Sequence, residues 1–186
     1  MLWKISQTHA KAISVQVLDD RVVALVGSRK VLVVDDEHYT RKVIRTLLMT
    51  IGVRNIQEAT NGYAGLDAVR TFTPDIVLCD WSMPELDGPG FVRAVRSPDT
   101  FPHPDVPIIM LTAHGERSFV VEAARLGINE YLLKPVSSQA LQARIVSVLC
   151  HPRPMVRRGD YYGPEPRKPS TIKSAVDEGH STLVLL

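Results

Sequence analysis

Several classes of protein are excluded by what this chain lacks. Its 186 residues include only two cysteines, Cys79 and Cys150. Two thiols so far apart make no disulfide framework, so both are expected as reduced residues of a cytosolic protein. Long apolar runs are also missing. None approaches the ~18 residues that a membrane span needs. The best N-terminal candidate, Val22–Val26, is short and has Asp19, Asp20 and Arg21 directly before it, the wrong flank for a signal peptide. Charge of one sign is missing too: Lys and Arg number 22 and Asp and Glu number 20, for a net charge of +2. By region the net charge is −1 over residues 29–150, +1 over 1–28 and +2 over 151–186. None of these is basic enough to call for a nucleic-acid partner. The six histidines show no metal-ligand spacing. A cytoplasmic protein without membrane or nucleic-acid partners is the resulting expectation.

What the chain does have is regular punctuation. From Lys30 to Cys150, short continuous apolar runs alternate with stretches of helical period. Val31–Val34 is the first run and ends at Asp35-Asp36. A helix from His38 to Ile51 follows, with Val43, Ile44, Leu47, Leu48 and Ile51 at helical spacing and Gly52 as its stop. Val53–Ala59 reads as strand two and Asn61–Phe72 as a helix. Asp75–Cys79 reads as strand three, running into Asp80. Trp81–Gly90 carries Pro84, Asp87-Gly88 and Pro89 and reads as a loop, with a short helix from Phe91 to Arg96. Four prolines make Ser97–Pro107 a connection. Val106–Leu111 is strand four, Glu116–Leu126 a helix, Glu130–Leu133 strand five, and a last helix starts at Ser137 or Ser138.

Five strands alternating with five helices imply an α/β fold: a three-layer, doubly wound (βα)5 parallel sheet of order 2-1-3-4-5. The domains expected are one compact unit at 29–150 and two flanks. Residues 1–28 read as a poorly ordered extension or a start codon assigned too early. Residues 151–186 read as a Pro-rich basic tail with too little periodic apolar content for a core.

The sheet brings the chemistry-bearing residues together. Asp35 and Asp36 end strand one, Asp80 ends strand three, Thr112 ends strand four and Lys134 ends strand five. The carboxyl ends of parallel strands share one edge, so all five face one crevice. Taken singly, each has an ordinary reading: a solvated carboxylate, a cap, a strand-end hydroxyl, a surface lysine. Taken jointly, three crowded carboxylates call for a divalent cation, and Mg²⁺ suits carboxylate and carbonyl oxygen. Lys134 adds a compact positive charge and Thr112 a donor, which together suit phosphoryl transfer to an aspartate.

These stretches resemble the receiver domain of two-component response regulators, the chemotaxis-type single-domain form included. The resemblance rests on Val31–Glu37, Glu58–Gly62, Pro74-Asp75, Cys79–Pro84, Asp87-Gly88, Pro107–Ala113 and Tyr131–Pro135, in the family's order and spacing. It implies that Asp80 is the phosphoacceptor and that Asp35 and Asp36 hold Mg²⁺, with Asp36 favoured as the direct ligand. It also implies that Ser82 offers its backbone carbonyl to the metal. Thr112 and Tyr131 would be the switch residues, Lys134 the essential lysine and Lys134–Pro135 a cis bond. His114 falls at a position that tunes phosphoryl lifetime. The implied partners are a sensor histidine kinase or histidine phosphotransfer protein, and an unknown downstream protein that reads the 116–126, 130–133 and 137–149 surface. The implied role is a signalling switch rather than an enzyme.

Two departures stand out. Ser97–Pro107 is longer and richer in proline than the family's usual connection. The ending, with Pro152-Arg153-Pro154 and Tyr162-Gly163-Pro164, is similar to that of some alphaproteobacterial stand-alone receivers, and is either a solvated tail or a docking peptide. A haloacid-dehalogenase-type enzyme would need Asp-x-Asp after strand one, where Asp35-Asp36-Glu37 stands. A flavodoxin-like carrier would need a Ser/Thr/Gly-rich phosphate loop there. Nothing after Cys150 can build a DNA-binding domain, so a stand-alone receiver is expected.

Overall fold

The computed structural model describes residues 23–113 and 117–167. Within them strands and helices alternate as β1 (Lys30–Val34), α1 (His38–Thr50), β2 (Asn55–Ala59), α2 (Gly62–Phe72), β3 (Ile76–Asp80), α3 (Gly88–Val95), β4 (Ile108–Thr112), α4 (Arg117–Leu126), β5 (Glu130–Leu133) and α5 (Ser138–Cys150). The five strands form one parallel sheet of order β2-β1-β3-β4-β5, the order the alternation predicts.

The two-residue period of a strand sorts each apolar run between two layers. Val31 and Val33 join Ile76, Leu78, Ile109 and Leu111 on the side covered by α1 and α5. Leu32 and Val34 join Val77, Cys79, Ile108 and Met110 on the side of α2, α3 and α4. Because β3 and β4 are buried along their whole length, their sequences alternate in no way visible as polarity. Edge strand β2 keeps exposed Asn55 and Glu58 and starts two residues later than Val53.

Side-chain caps set the helix starts. Asn61 accepts from the Ala64 amide at 2.8 Å, Asp87 from Gly90 at 2.7 Å and Ser137 from Ala140 at 3.2 Å, each contributing about 1 kcal/mol. The Asp87 cap makes α3 begin at Gly88 rather than Phe91. Pro89 suits a helix's first turn, so this Gly-Pro-Gly stretch is helical where its composition suggests a loop.

The Ser97–Pro107 connection is held from within by Arg96. This buried guanidinium donates to the carbonyls of Gly127 (2.8 Å), Val106 (2.9 Å) and Pro104, and to Asn129 Oδ1 (3.0 Å). Asn129 Oδ1 also accepts from the Ile108 amide at 2.9 Å, which links the bracket to β4. Burial pushes the Arg96 pKa down to about 10, so it stays charged at neutral pH.

The flanks differ from expectation. Residues 23–26 are helical and Val26 is buried, so the described fold starts before residue 29. Beyond Cys150, β6 (Met155–Arg158) and β7 (Tyr161–Pro164) pair as an antiparallel hairpin turning at Gly159 (φ 58°). The hairpin brings no core of its own and uses the domain's. Gly163 packs backbone-to-backbone on Gly127, so closely that a Cβ at 163 would lie 2.6 Å from the Gly127 Cα. Arg157 pairs with Asp99 at 2.9 and 3.3 Å, and the Tyr162 hydroxyl donates to Asp105. The long connection and the hairpin therefore support each other. Residues 1–22, His114 and residues 168–186 lie outside the described residues. Among the described residues no helix is long and apolar enough to cross a membrane.

Candidate functional site

In a sheet of this order the chain reverses direction between β1 and β3, and a crevice opens beyond their carboxyl ends. Asp35 follows β1 and Asp80 closes β3. Asp35 is fully buried and held by its own turn, where the Glu37 amide donates to Asp35 Oδ1 at 2.9 Å. Asp36 beside it is exposed. One ligand oxygen each from Asp35, Asp36 and Asp80 falls within 4.8 Å of the others. Lys134, just after β5, reaches across with Nζ 2.8 Å from Asp35 Oδ2 and 2.7 Å from Asp80 Oδ1. Its backbone amide donates to the Thr112 carbonyl at 2.8 Å, which ties the ends of β4 and β5 together.

The charges shape one another. Burial pushes the Asp80 carboxyl above its usual range, Lys134 opposes that, and Asp35 adds to it. Burial acts to lower the Lys134 ammonium, but its hydrogen bonds to Asp35 and Asp80 outweigh it and hold the group above its ordinary value. Beneath them, burial and then the Asp80 charge push the Cys79 thiol well up, so it stays a neutral core group. An oxygen-only set of three carboxylates in so small a space fits a hard divalent cation such as Mg²⁺.

The structure thus gathers Asp35, Asp36, Asp80 and Lys134 into one cluster. Ser82 is exposed two residues past Asp80. Thr112 is buried at the end of β4, paired in register with Leu133. Tyr131 is buried opposite Met110, within the apolar layer under α4 rather than at the carboxylates. The Lys134–Pro135 bond is cis, as the resemblance implies.

Four residues escaped the sequence reading. Arg41 is buried, donates to the Asp35 and Asp36 carbonyls at 2.9 and 3.0 Å and lies 3.4 Å from Glu58, so it fixes the acidic turn. Its signal was its spacing: 41, 44 and 48 share the buried face of α1. Trp81 packs edge-on to Phe119 of α4, ring centroids 5.4 Å apart, and so links the loop after Asp80 to that helix. Gly88 lies against the Asp80 carbonyl so tightly that no Cβ fits. Arg96 is the fourth, and nothing local distinguishes it from other helix-end arginines.

A doubly wound α/β protein with carboxylates and a lysine at its switch point is the class that fold and site define. The chain belongs to the response regulator receiver domain family, whose pattern matches residues 31–146. It is 35% identical over 119 residues to the chemotaxis protein CheY of Pseudomonas aeruginosa, covering 64% of this chain and 94% of that one. It is 42% identical over 120 residues to the probable transcriptional regulator ycf27 of Porphyra purpurea, there covering 47% of the longer protein. Among solved structures, Vibrio cholerae CheY4 superposes with a TM-score of 0.59 at 29% identity, over 65% of this chain and 98% of that one. A chain of the CheX–CheY–BeF3–Mg²⁺ complex from Borrelia burgdorferi does so at 0.59 and 25%, over 64% and 88%.

Proposed function

We propose that this chain is a stand-alone response regulator of a cytoplasmic two-component phosphorelay, which takes a phosphoryl group on Asp80 from a phosphohistidine donor and thereby changes its protein partners. The observation that carries this reading is the contact of Asp80 Oδ1 with Lys134 Nζ at 2.7 Å inside the three-carboxylate cluster. An oxygen of Asp80 bonds to phosphorus as the donor's P–N bond breaks, and the electron pair of that bond returns to the imidazole. Lys134 stays beside the reacting centre and meets the charge of the phosphoryl oxygens, while the buried Asp35 keeps the ammonium in place. Mg²⁺ bound by Asp35, Asp36, Asp80 and the Ser82 carbonyl would neutralise charge between the carboxylates and the phosphoryl group.

Thr112 answers the new charge by moving toward it, and the β4–β5 pair follows through the Thr112 carbonyl's bond to Lys134. Tyr131, buried beside β4, reads that shift, and α4, β5 and α5 present it to a downstream protein. The chain consumes no external substrate in turnover. It is a switch whose own groups assist phosphoryl uptake and slow loss.

Intact mass after acetyl phosphate treatment, with and without Mg²⁺, tests the reading. One acid-labile phosphoryl adduct is expected, dependent on Mg²⁺ and absent from Asp80→Asn. Label retained on that variant would defeat the assignment.

A further inference from the structure

Asn61, Asp87 and Ser137 cap α2, α3 and α5, but Glu37, at the start of α1, makes no cap hydrogen bond. Its carboxylate accepts from the Thr40 hydroxyl at 2.6 Å instead. What holds this helix start is Arg41, one turn further on. A single nitrogen, Nη1, donates to the carbonyls of Asp35 (2.9 Å) and Asp36 (3.0 Å), so both of its N–H groups are spent on two successive carbonyls. Nε faces Glu58 Oε2 at 3.4 Å, and Arg45 meets the other oxygen of Glu58 at 3.2 Å. The Arg41 charge thus has a carboxylate of its own, on β2. The two acidic side chains of the turn depend on Arg41 unequally. Asp35 is buried, and its carboxylate is held independently by the Glu37 amide (2.9 Å) and Lys134 (2.8 Å). Asp36 is exposed, and among the described residues no hydrogen bond is made to its carboxylate. Yet one of its oxygens lies within 4.8 Å of those of Asp35 and Asp80. Its aim is set through its own backbone, whose carbonyl Arg41 holds.

We propose that Arg41 is a positioning residue for Asp36, and that it sets the affinity for the divalent cation without touching the ion. This role rests on the Mg²⁺-dependent phosphoryl transfer proposed above and adds a further residue to it. It fixes the sign of an effect. By Coulomb's law alone, a guanidinium near a cation site is a hindrance, so its removal should tighten Mg²⁺ binding. A positioning role demands the reverse. A carboxylate freed from its support must be ordered by the ion as it binds, and the affinity falls by that cost.

The test is a calorimetric titration of the full chain with Mg²⁺ at fixed ionic strength. Arg41→Met keeps an apolar stem but no donor, and should bind Mg²⁺ about 10-fold more weakly, the lower end of what lost support behind a metal ligand costs. Arg41→Lys offers one compact donor group to the two carbonyls and should recover most of that loss. Arg45→Ala removes the other cation that faces Glu58 and should leave the affinity within about 2-fold. In an Asp36→Ala background, Arg41→Met should add nothing further, because the group it positions is gone. Equal or tighter binding in Arg41→Met would overturn the proposal. So would an equal loss in Arg41→Lys or Arg45→Ala, or losses that multiply in the Asp36→Ala background. Should Arg41→Met not fold, Arg41→Gln, too short to span both carbonyls, takes its place in every comparison. A parent chain that binds no Mg²⁺ would instead defeat the receiver reading, and the role of Arg41 with it.

Discussion

Two cations, half-buried Lys134 and buried Arg96, mark opposite edges of the same sheet, and their surroundings differ in kind. Lys134, at the carboxyl edge, rests between two carboxylates at 2.8 and 2.7 Å. Arg96, at the other edge, makes every described hydrogen bond to a carbonyl or amide oxygen. An ion pair among ions can be redistributed when another charge arrives, because the ammonium can trade one oxygen for another. A guanidinium bound by backbone carbonyls has nothing to trade, and moving it strands several buried acceptors at once. The first arrangement suits a site that changes state; the second suits a bracket.

Substitutions at the two cations should therefore fail differently. Arg96→Met should lose about 3–5 kcal/mol of stability, read from its urea midpoint, while phosphoryl uptake per folded molecule stays within a few-fold. A stable Arg96→Met chain would reduce the bracket to decoration. Lys134→Ala should weigh on uptake instead: uptake from acetyl phosphate about 100-fold slower per folded molecule, with a smaller loss of urea midpoint than Arg96→Met. Equal losses in both measurements would erase the distinction.

Asp80→Asn sharpens the comparison through pH. The folded carboxyl is raised above its ordinary 3.8, so the folded state binds more protons than the unfolded one between those values. Asp80 therefore costs stability as pH rises through that window. In metal-free buffer the Asn variant should melt a few degrees higher at pH 7, and the gain should shrink as pH falls toward 3.8. A gain that persisted in acid would point to packing instead. The smallest effect is expected at the exposed pair of Arg157 with Asp99, where Arg157→Ala should move the melting temperature by no more than about 2 °C.

The sequence made the sheet order and the acidic cluster legible for one reason: strand ends are marked by abrupt changes from apolar to ionic residues, and parallel strands align those ends. Asp35, Asp36, Asp80 and Lys134 could be placed together on that basis alone. The start of α3 was hidden because Gly88-Pro89-Gly90 serves turns and helix starts equally well, and only the Asp87 cap decides. Arg41 was hidden because its polarity masks a core-facing position. The hairpin was hidden for another reason. Periodicity detects elements that carry their own apolar face, whereas β6 and β7 are held by one glycine contact, two arginines and a tyrosine reaching to distant residues.

That glycine contact bears on where this molecule may be cut. Ending the chain at Cys150, as the family's extent invites, would bare the Gly127 backbone and release the Asn129 carbonyl from Arg153. A piece that keeps both contacts must include Arg153 and Gly163. Positions 127 and 163 therefore act as one unit: a side chain at 163 fits only where the Gly127 backbone is no longer beneath it.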